Sequence, residues 1–309
     1  MVAPLYNCLP LTQAMFTSLR ATLPAGLTHE IIFVDDGSTD GTRAWLASLA
    51  HDTAIRVVLN ERNLGYAAAN NRGAAVARGA LLALLNNDLV LQPRWLEPML
   101  DAHHSLGERA GVVGNVQRDA RTGAIDHAGL VLNARGKPVH LRTQPNYFSR
   151  RMNPVRLVSA VTGACALVSR SLWHALGGFD EGYMNGGEDI DLCFRAAAAG
   201  RVNAVALHSV VRHHISASPG RKARDEENSH RLVRRWRAAI TASDEARRSW
   251  CRDDLAATFL EPRSEEWRHT LSVLAYLTRL RADPPPKAVT GVEAGLAREF
   301  AHWEKILGR

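Results

Sequence analysis

Within the 309 residues, several groups of acids and amides leave short apolar runs, which is where side chains can do chemistry. In 31-IIFVDDGSTDGT-42, Asp35 and Asp36 end a β-branched run and lead through a Gly-Ser turn into a helix. Open α/β sheets hold ligands at such strand ends. Either carboxylate can accept hydrogen bonds from a base N–H or a ribose hydroxyl, although Asp and Ser also cap turns and helices there. In 86-NND-88, Asp88 follows the apolar run 80-ALLALL-85 with two amides beside it. Mg²⁺ or Mn²⁺ suits such an oxygen site, because these ions take one or two carboxylates and complete their shell with phosphate and water. The tripeptide is also a good turn.

A further group is 186-GGEDIDLCFRAAAAG-200, with Glu188, Asp189 and Asp191 after a double glycine. Carboxylates at a helix N-terminus are stabilised as anions, so capping alone would account for Asp189. The density of three acids in four residues, in a basic protein, favours a site. Last is 210-VVRHHIS-216, where neighbouring strand residues point to opposite faces, so at most one histidine serves a given site.

These groups need a frame to hold them. Short β-branched runs alternate with amphipathic segments, the pattern of a mostly parallel sheet with helices on both faces. Strands are expected at 30–34, 55–60, 80–85 and 111–116. Helices are expected at 42–50, 66–78 (closed by Gly79), 93–104 with Pro93 in its first turn, and from about Asp189. Residues 117–155 read as loops and short strands, 156–170 as more than one strand, and 202–207 with 209–214 as a strand pair. Beyond about 235 the chain turns rich in Ala, Arg, Glu and Trp, broken by 284-PPP-286. This divides the chain into an α/β domain, 1–235, and a C-terminal helical extension, 236–309.

Bulk properties narrow the class. The hydrophobic fraction of 46% is that of an ordinary globular core. No apolar run approaches membrane-span length, and MVAPLYN resembles no secretion signal, so a cytoplasmic protein is expected. Cys8, Cys165, Cys193 and Cys251 form no CxxC pair and read as reduced thiols. The net charge of +7 suits a phosphorylated substrate, an anionic membrane or nucleic acid. The basic run 221–237 carries three acids and reads as a solvated helix face, so no nucleic acid is expected as a partner.

The order of these pieces resembles the bacterial glycosyltransferase family 2, of GT-A fold. It runs through 4-PLYN-7, 31-IIFVDDGSTDGT-42, 63-NLGYAAANNRGA-74, 86-NND-88, 162-TGACALVSR-170, 177-GGFDEGYMNGGEDIDLCFRAAAAG-200 and 213-HH-214. The resemblance covers residues 2 to about 237 and implies a Rossmann-like domain that moves a sugar from a UDP- or dTDP-sugar. Leu5, Tyr6, Asn7 and Asp36, with Asp35 beside it, would hold base and ribose. Asn63, Gly65 and Asn71 would line the nucleotide pocket, and Asn87 and Gly163 fall in the donor-binding pieces. Asp88 stands at the last position of the family's D-x-D motif as the metal carboxylate, with His213 completing the Mn²⁺ or Mg²⁺ site. Asp189, with Glu188 beside it, matches the catalytic base, so that one in-line displacement inverts the anomeric carbon.

The first D-x-D position is Asn86, and only Met1, Val2 and Ala3 precede Pro4 where the family has a longer strand, as if the start were truncated. The similarity favours bacterial surface polysaccharides, rhamnose from dTDP with galactose, glucose or N-acetylglucosamine from UDP as open alternatives, and a glycan or lipid-linked glycan acceptor over a protein or small molecule. That acceptor would bring the enzyme to the inner membrane face. For the tail, with Trp236, Trp250, Trp267 and Trp303, packing or a homodimer is preferred over membrane contact, because Glu261, Glu265 and Glu266 oppose an anionic surface. Rival readings are a nucleotidyltransferase, a catalytically inactive nucleotide-sugar or glycan-binding module, and an RNA-binding protein. The first lacks its Gly-rich basic loop in 7-NCLPLTQ-13.

Overall fold

The computed structural model describes residues 1–214, 224–260 and 267–308. Ile215 and Ser216 of the histidine stretch, residues 221–223 of the basic run, and Glu261, Glu265 and Glu266 lie outside the described residues. Two compact units emerge: 1–130 with 140–224, and 131–139 with 225–309.

In the first unit the chain runs β1 (Val2–Leu5), α1 (Leu9–Thr22), β2 (Ile31–Asp36), α2 (Thr42–Ser48), β3 (Ile55–Asn60), α3 (Tyr66–Val76), β4 (Leu81–Leu85) and β5 (Leu89–Leu91). It continues through α4 (Glu97–Leu106), β6 (Ala110–Asp119) and β7 (Ile125–His127), leaves the unit over 131–139 with most of the hairpin strands β8 (Leu130–Leu132) and β9 (Pro138–His140), and resumes with α5 (Tyr147–Met152). It closes with β10 (Val155–Val158), β11 (Cys165–Ser169), α6 (Arg170–Leu176), α7 (Glu188–Ala198) and β12 (Val202–His213).

The ten-stranded sheet has the order β10-β12-β6-β11-β4-β1-β2-β3, with β5 on β12 and β7 on β6. Strands β1, β2, β3, β4, β6 and β12 run one way, and β5, β7, β10 and β11 run against them. The sheet is therefore mixed and mostly parallel. Strand β2 is buried at every position, as a central parallel strand covered on both faces must be. Under it, Phe16, Phe33 and Trp45 form an edge-to-face trio with centroids 5.5 to 5.7 Å apart. Phe33 is fully buried, which stabilises the fold by roughly 1.5–3 kcal/mol. Helix α1, absent from the expected elements, turns Thr12, Met15, Phe16 and Leu19 inward at helical spacing.

Several expected boundaries shift for physical reasons. Helix α4 begins at Glu97 rather than Pro93, because Arg94 adopts φ 61 and interrupts the turn. Residues 202–213 form one strand rather than two. A register shift between Ala206 and Val210 bends it without ending it, and the Ser209 hydroxyl in that bulge donates to the Trp95 carbonyl. Residues 156–170 resolve into β10 and β11 with the 159–164 connection between them.

The second unit contains residues 131–139 and the helices α8 (Asp225–Ala242), α9 (Asp244–Leu260), α10 (Trp267–Leu277) and α11 (Pro286–Leu307). Position 235 thus lies inside α8, whose Leu232 and Val233 are buried while Arg231, Arg234, Arg235 and Arg237 face solvent. His230 stacks on Phe300 at 4.5 Å, and Trp303 donates its indole N–H to Glu226. Trp250 packs on the small core of Cys251, Val273, Tyr276 and Ala288, whereas Trp267 is exposed. No helix among the described residues is long and apolar enough to cross a membrane.

Candidate active site

The carboxyl ends of β1, β2 and β4 open onto a cavity of about 600 Å³ in the first unit. After β1 the chain turns sharply, with Asn7 and Cys8 both left-handed at φ 55 and 58. Asn7 locks this turn to the one after β2. Its N–H donates to Ser38 Oγ at 2.9 Å, and its Oδ1 accepts from the Thr39 N–H at 2.8 Å. Gly37 lets the next loop close over this turn: it has φ 79, and a Cβ there would lie 2.6 Å from the Arg62 carbonyl carbon and the Asn63 nitrogen.

Asp36 ties that loop down. Its Oδ1 accepts from Asn60 Nδ2 at 2.7 Å and the Leu64 N–H at 3.0 Å, and its Oδ2 accepts from the Gly65 N–H at 2.9 Å. Asn63 Oδ1 accepts from the same Gly65 N–H at 2.9 Å. Asp35 faces the other way, as alternation along a strand requires. It is fully buried, pairs with Arg43 Nε at 2.7 Å, and does not line the cavity.

Asp88 and His213 meet across β5 and β12, where His213 stands opposite Leu89. His213 Nε2 lies 3.2 Å from Asp88 Oδ1, yet neither atom makes a hydrogen bond, and His213 Nδ1 and the nearby motif's Asn86 Oδ1 are likewise buried without one. Buried polar atoms without partners are costly, and a cation shared by carboxylate and imidazole would satisfy them. The residues present therefore fit a divalent ion with two protein ligands. Among the described residues no group of three or more His, Cys, Asp or Glu forms a closed metal cage, so other ligands would come from substrate and water. Asn87 Nδ2 donates to Thr12 Oγ1 at 3.0 Å and braces this turn against α1.

Opposite lies the start of α7. Asn185 and Gly187 adopt φ 54 and 95, turning the chain into the helix. Glu188 Oε2 accepts from the Gly186 N–H at 2.8 Å, and Asp189 Oδ2 accepts from the Gly163 N–H at 2.9 Å. Tyr66 donates its hydroxyl to the Gly163 carbonyl at 2.8 Å. A Cβ at Gly163 would sit 3.0 Å from that hydroxyl, so only glycine fits comfortably. Burial, and then the charges of Glu188, Asp189 and Asp88, hold the Tyr66 phenol well above its usual range, so it stays a donor. Asp191 is buried on the other side of α7, paired with Arg195 Nε at 2.7 Å.

Of the sequence candidates, the cavity lining gathers Leu5, Tyr6, Asn7, Asp36, Asn63, Gly65, Asn87, Asp88, Gly163, Glu188 and Asp189. His213 stands behind Asp88. Asn71 is placed elsewhere: its amide clamps the Phe179 backbone, accepting from N–H and donating to C=O at 2.9 Å each. Sequence reasoning passed over Tyr66, Thr162 and Asn185, which also line the cavity. An aromatic residue inside an alanine-rich helix, 66-YAAANNRGA-74, was the available signal for Tyr66.

A cavity lined by four carboxylates, Asp36, Asp88, Glu188 and Asp189, at the strand ends of a mostly parallel sheet fits an α/β enzyme of the GT-A class. The sequence profile of glycosyl transferase family 2 matches residues 1–177, and the chain belongs to that family. Members of the family transfer a sugar from a nucleotide-sugar donor. The chain is 33% identical over 260 residues to the uncharacterized protein y4gI of Sinorhizobium fredii, covering 76% of this chain and 28% of that protein. It is 30% identical over 241 residues to the N-acetylglucosaminyl-diphospho-decaprenol L-rhamnosyltransferase of Mycobacterium tuberculosis, covering 71% of this chain and 77% of the relative. In fold it is similar to GalNAc-T7 solved with UDP, GalNAc and Mn²⁺, with a TM-score of 0.63, 16% identity, and coverage of 90% of this chain and 55% of that one. It is also similar to the mannosyltransferase PcManGT of Pyrobaculum calidifontis in complex with GDP-Man and Mn²⁺, with a TM-score of 0.54, 18% identity, and coverage of 96% and 85%.

Proposed function

We propose that this chain is an inverting, metal-dependent glycosyltransferase that moves a sugar from a UDP- or dTDP-sugar to the hydroxyl of a glycan or lipid-linked glycan in bacterial surface polysaccharide synthesis. The observation that carries this reading is the convergence of Asp88 and Asp189 on one cavity whose other wall is the Leu5–Asn7 turn and the Asp36-bound loop. The similarity to the rhamnosyltransferase of Mycobacterium tuberculosis supports a deoxysugar donor and a lipid-diphosphate acceptor, and with them work at the inner membrane face.

In this reading the turn around Asn7 and the loop held by Asp36 cradle base and ribose. Asp88 and His213 would hold Mn²⁺ or Mg²⁺, which when bound would neutralise charge on the diphosphate. Asp189 takes the proton from the attacking hydroxyl, whose own pKa is far above neutrality. Its orientation is set by Gly163, whose N–H it accepts at 2.9 Å, and Glu188 stays anchored to the Gly186 N–H. A single base facing the donor gives displacement with inversion.

A thermal-shift panel of UDP-, dTDP- and GDP-sugars with Mn²⁺ tests this. The matching donor at a hundred times its Kd adds ~2.7 kcal/mol of stability. Stabilisation without any transfer to glycan or lipid-linked acceptors would leave a nucleotide-sugar-binding module. A panel with no response would remove the donor assignment.

A further inference from the structure

Helix α5 buries none of its residues, which is unusual for a helix held within a folded domain. Tyr147 and Phe148 are exposed, and Phe148 and Met152 each show 78% of their surface to solvent. Five residues beyond Met152, Leu157 of β10 is 62% exposed, on the strand that ends the sheet. Single exposed apolar residues are ordinary, but four within eleven positions form a patch that marks a contact surface. A six-residue helix has little stability of its own. This one is fastened at its ends, where Asn146 Oδ1 accepts from the Ser149 N–H at 2.9 Å and His208 Nε2 meets the Arg150 carbonyl at 3.1 Å.

Within the segment that carries this patch every charged residue is basic. Residues 141–158 contain Arg142, Arg150, Arg151 and Arg156 and no acid. Arg142 reaches Asp126 at 3.3 Å, and Arg156 is turned inward to the carbonyls of Ala128 and Thr143. Arg151 is exposed beside Met152. Alternating aromatic, thioether and guanidinium side chains on an unburied helix suit the boundary of a charged bilayer, where apolar groups enter the acyl region and arginines meet headgroup phosphates. A second copy of the chain fits poorly, since a two-fold contact would set these arginines against their own counterparts. Nucleic acid would satisfy the arginines but leave Phe148, Met152 and Leu157 in water.

We infer that α5 and the adjoining edge of β10 form the surface by which this protein docks on an anionic lipid membrane. Docking itself does not depend on the transferase reading, but its placement does rest on it. His208, which holds α5, precedes His213 by five residues of the same strand, a separation of roughly 15 Å. A membrane at this patch leaves that distance for a lipid-linked acceptor to bridge between bilayer and cavity.

The test uses the full-length protein and a Phe148→Ser, Arg151→Glu, Met152→Ser variant, whose changed side chains are all exposed. Both are sedimented with vesicles of phosphatidylcholine alone and of equimolar phosphatidylcholine and phosphatidylglycerol. The expected result is salt-sensitive binding of the wild type to the anionic vesicles only, weakened at least tenfold in the variant. Melting temperature and donor binding should stay unchanged, the latter read by thermal shift with nucleotide sugar and Mn²⁺. Absence of wild-type binding, or equal binding by the variant, would overturn the inference. So would a wild-type oligomer that becomes monomeric in the variant, which would give the patch to a second copy. Failure of the transferase reading would show instead as loss of donor binding with vesicle binding intact.

Discussion

Tyr66 and Asp189 grip Gly163 from its two ends: the phenol donates to its carbonyl at 2.8 Å, and the carboxylate accepts its N–H at 2.9 Å. The proposed base is thereby fixed by a residue 123 positions away in sequence. Tyr66→Phe removes one hydrogen bond worth about 1 kcal/mol and is expected to lower kcat roughly fivefold with the donor KM unchanged. A rise in donor KM at constant kcat would make Tyr66 a donor-binding residue instead.

Asp189→Asn keeps the shape and the contact region but cannot take a proton. Transfer is expected to fall on the order of 10²–10⁴-fold while donor binding, read by calorimetry, persists. Near wild-type turnover would pass the base role to Glu188, because Asp191 is committed to Arg195.

Chelation is expected to abolish transfer, with Mn²⁺ or Mg²⁺ restoring it. Asp88→Ala and His213→Ala should each raise the metal concentration needed for half-maximal rate, Asp88→Ala more strongly because it removes charge. Full activity of both variants in excess EDTA would show that no metal is held there. Arg72 is a poor substitute, since its guanidinium already donates to Asn60 Oδ1 at 2.7 Å.

Thiol chemistry gives a readout independent of turnover. Burial pushes the Cys165 and Cys193 thiols up to about 12 and Cys251 up to about 11, so almost none is thiolate at pH 8. Cys8 is half-buried and lines the cavity. Of the four cysteines, Cys8 alone should react quickly with Ellman's reagent, and nucleotide sugar with Mn²⁺ should slow it. A Cys8 rate indifferent to every donor would place the donor outside this cavity.

The Asp191–Arg195 pair is buried, and Arg195 also donates to the Leu176 carbonyl at 2.6 Å. Arg195→Met would strand the carboxylate, and a loss of about 3–5 kcal/mol of stability is expected in urea unfolding. A change below 1 kcal/mol would mean that Asp191 finds other donors.

Sequence by itself determined those parts of this protein where local chemistry is self-sufficient. Apolar runs such as 31–34 and 81–85 become strands because β-branched and aliphatic side chains buried on both faces admit little else, and the acid-amide turns after them end up at the sheet's carboxyl edge. The alternating α/β order, and with it the family's fold, is legible for the same reason. What only the tertiary structure decided depends on register and on distant pairing. Asp35 and Asp36 are chemically alike, and only the direction of the strand turns Asp36 to the cavity and Asp35 to Arg43. The bulge that merges two expected strands into β12 is set by Trp95, more than a hundred residues earlier. His213 reaches Asp88 only because β5 pairs with β12, and Tyr66 reaches Asp189 only through Gly163. Each of these contacts joins segments with no local signal for one another, so spacing along the chain reveals none of them, and the Asp88–His213 pairing was legible only through the family resemblance.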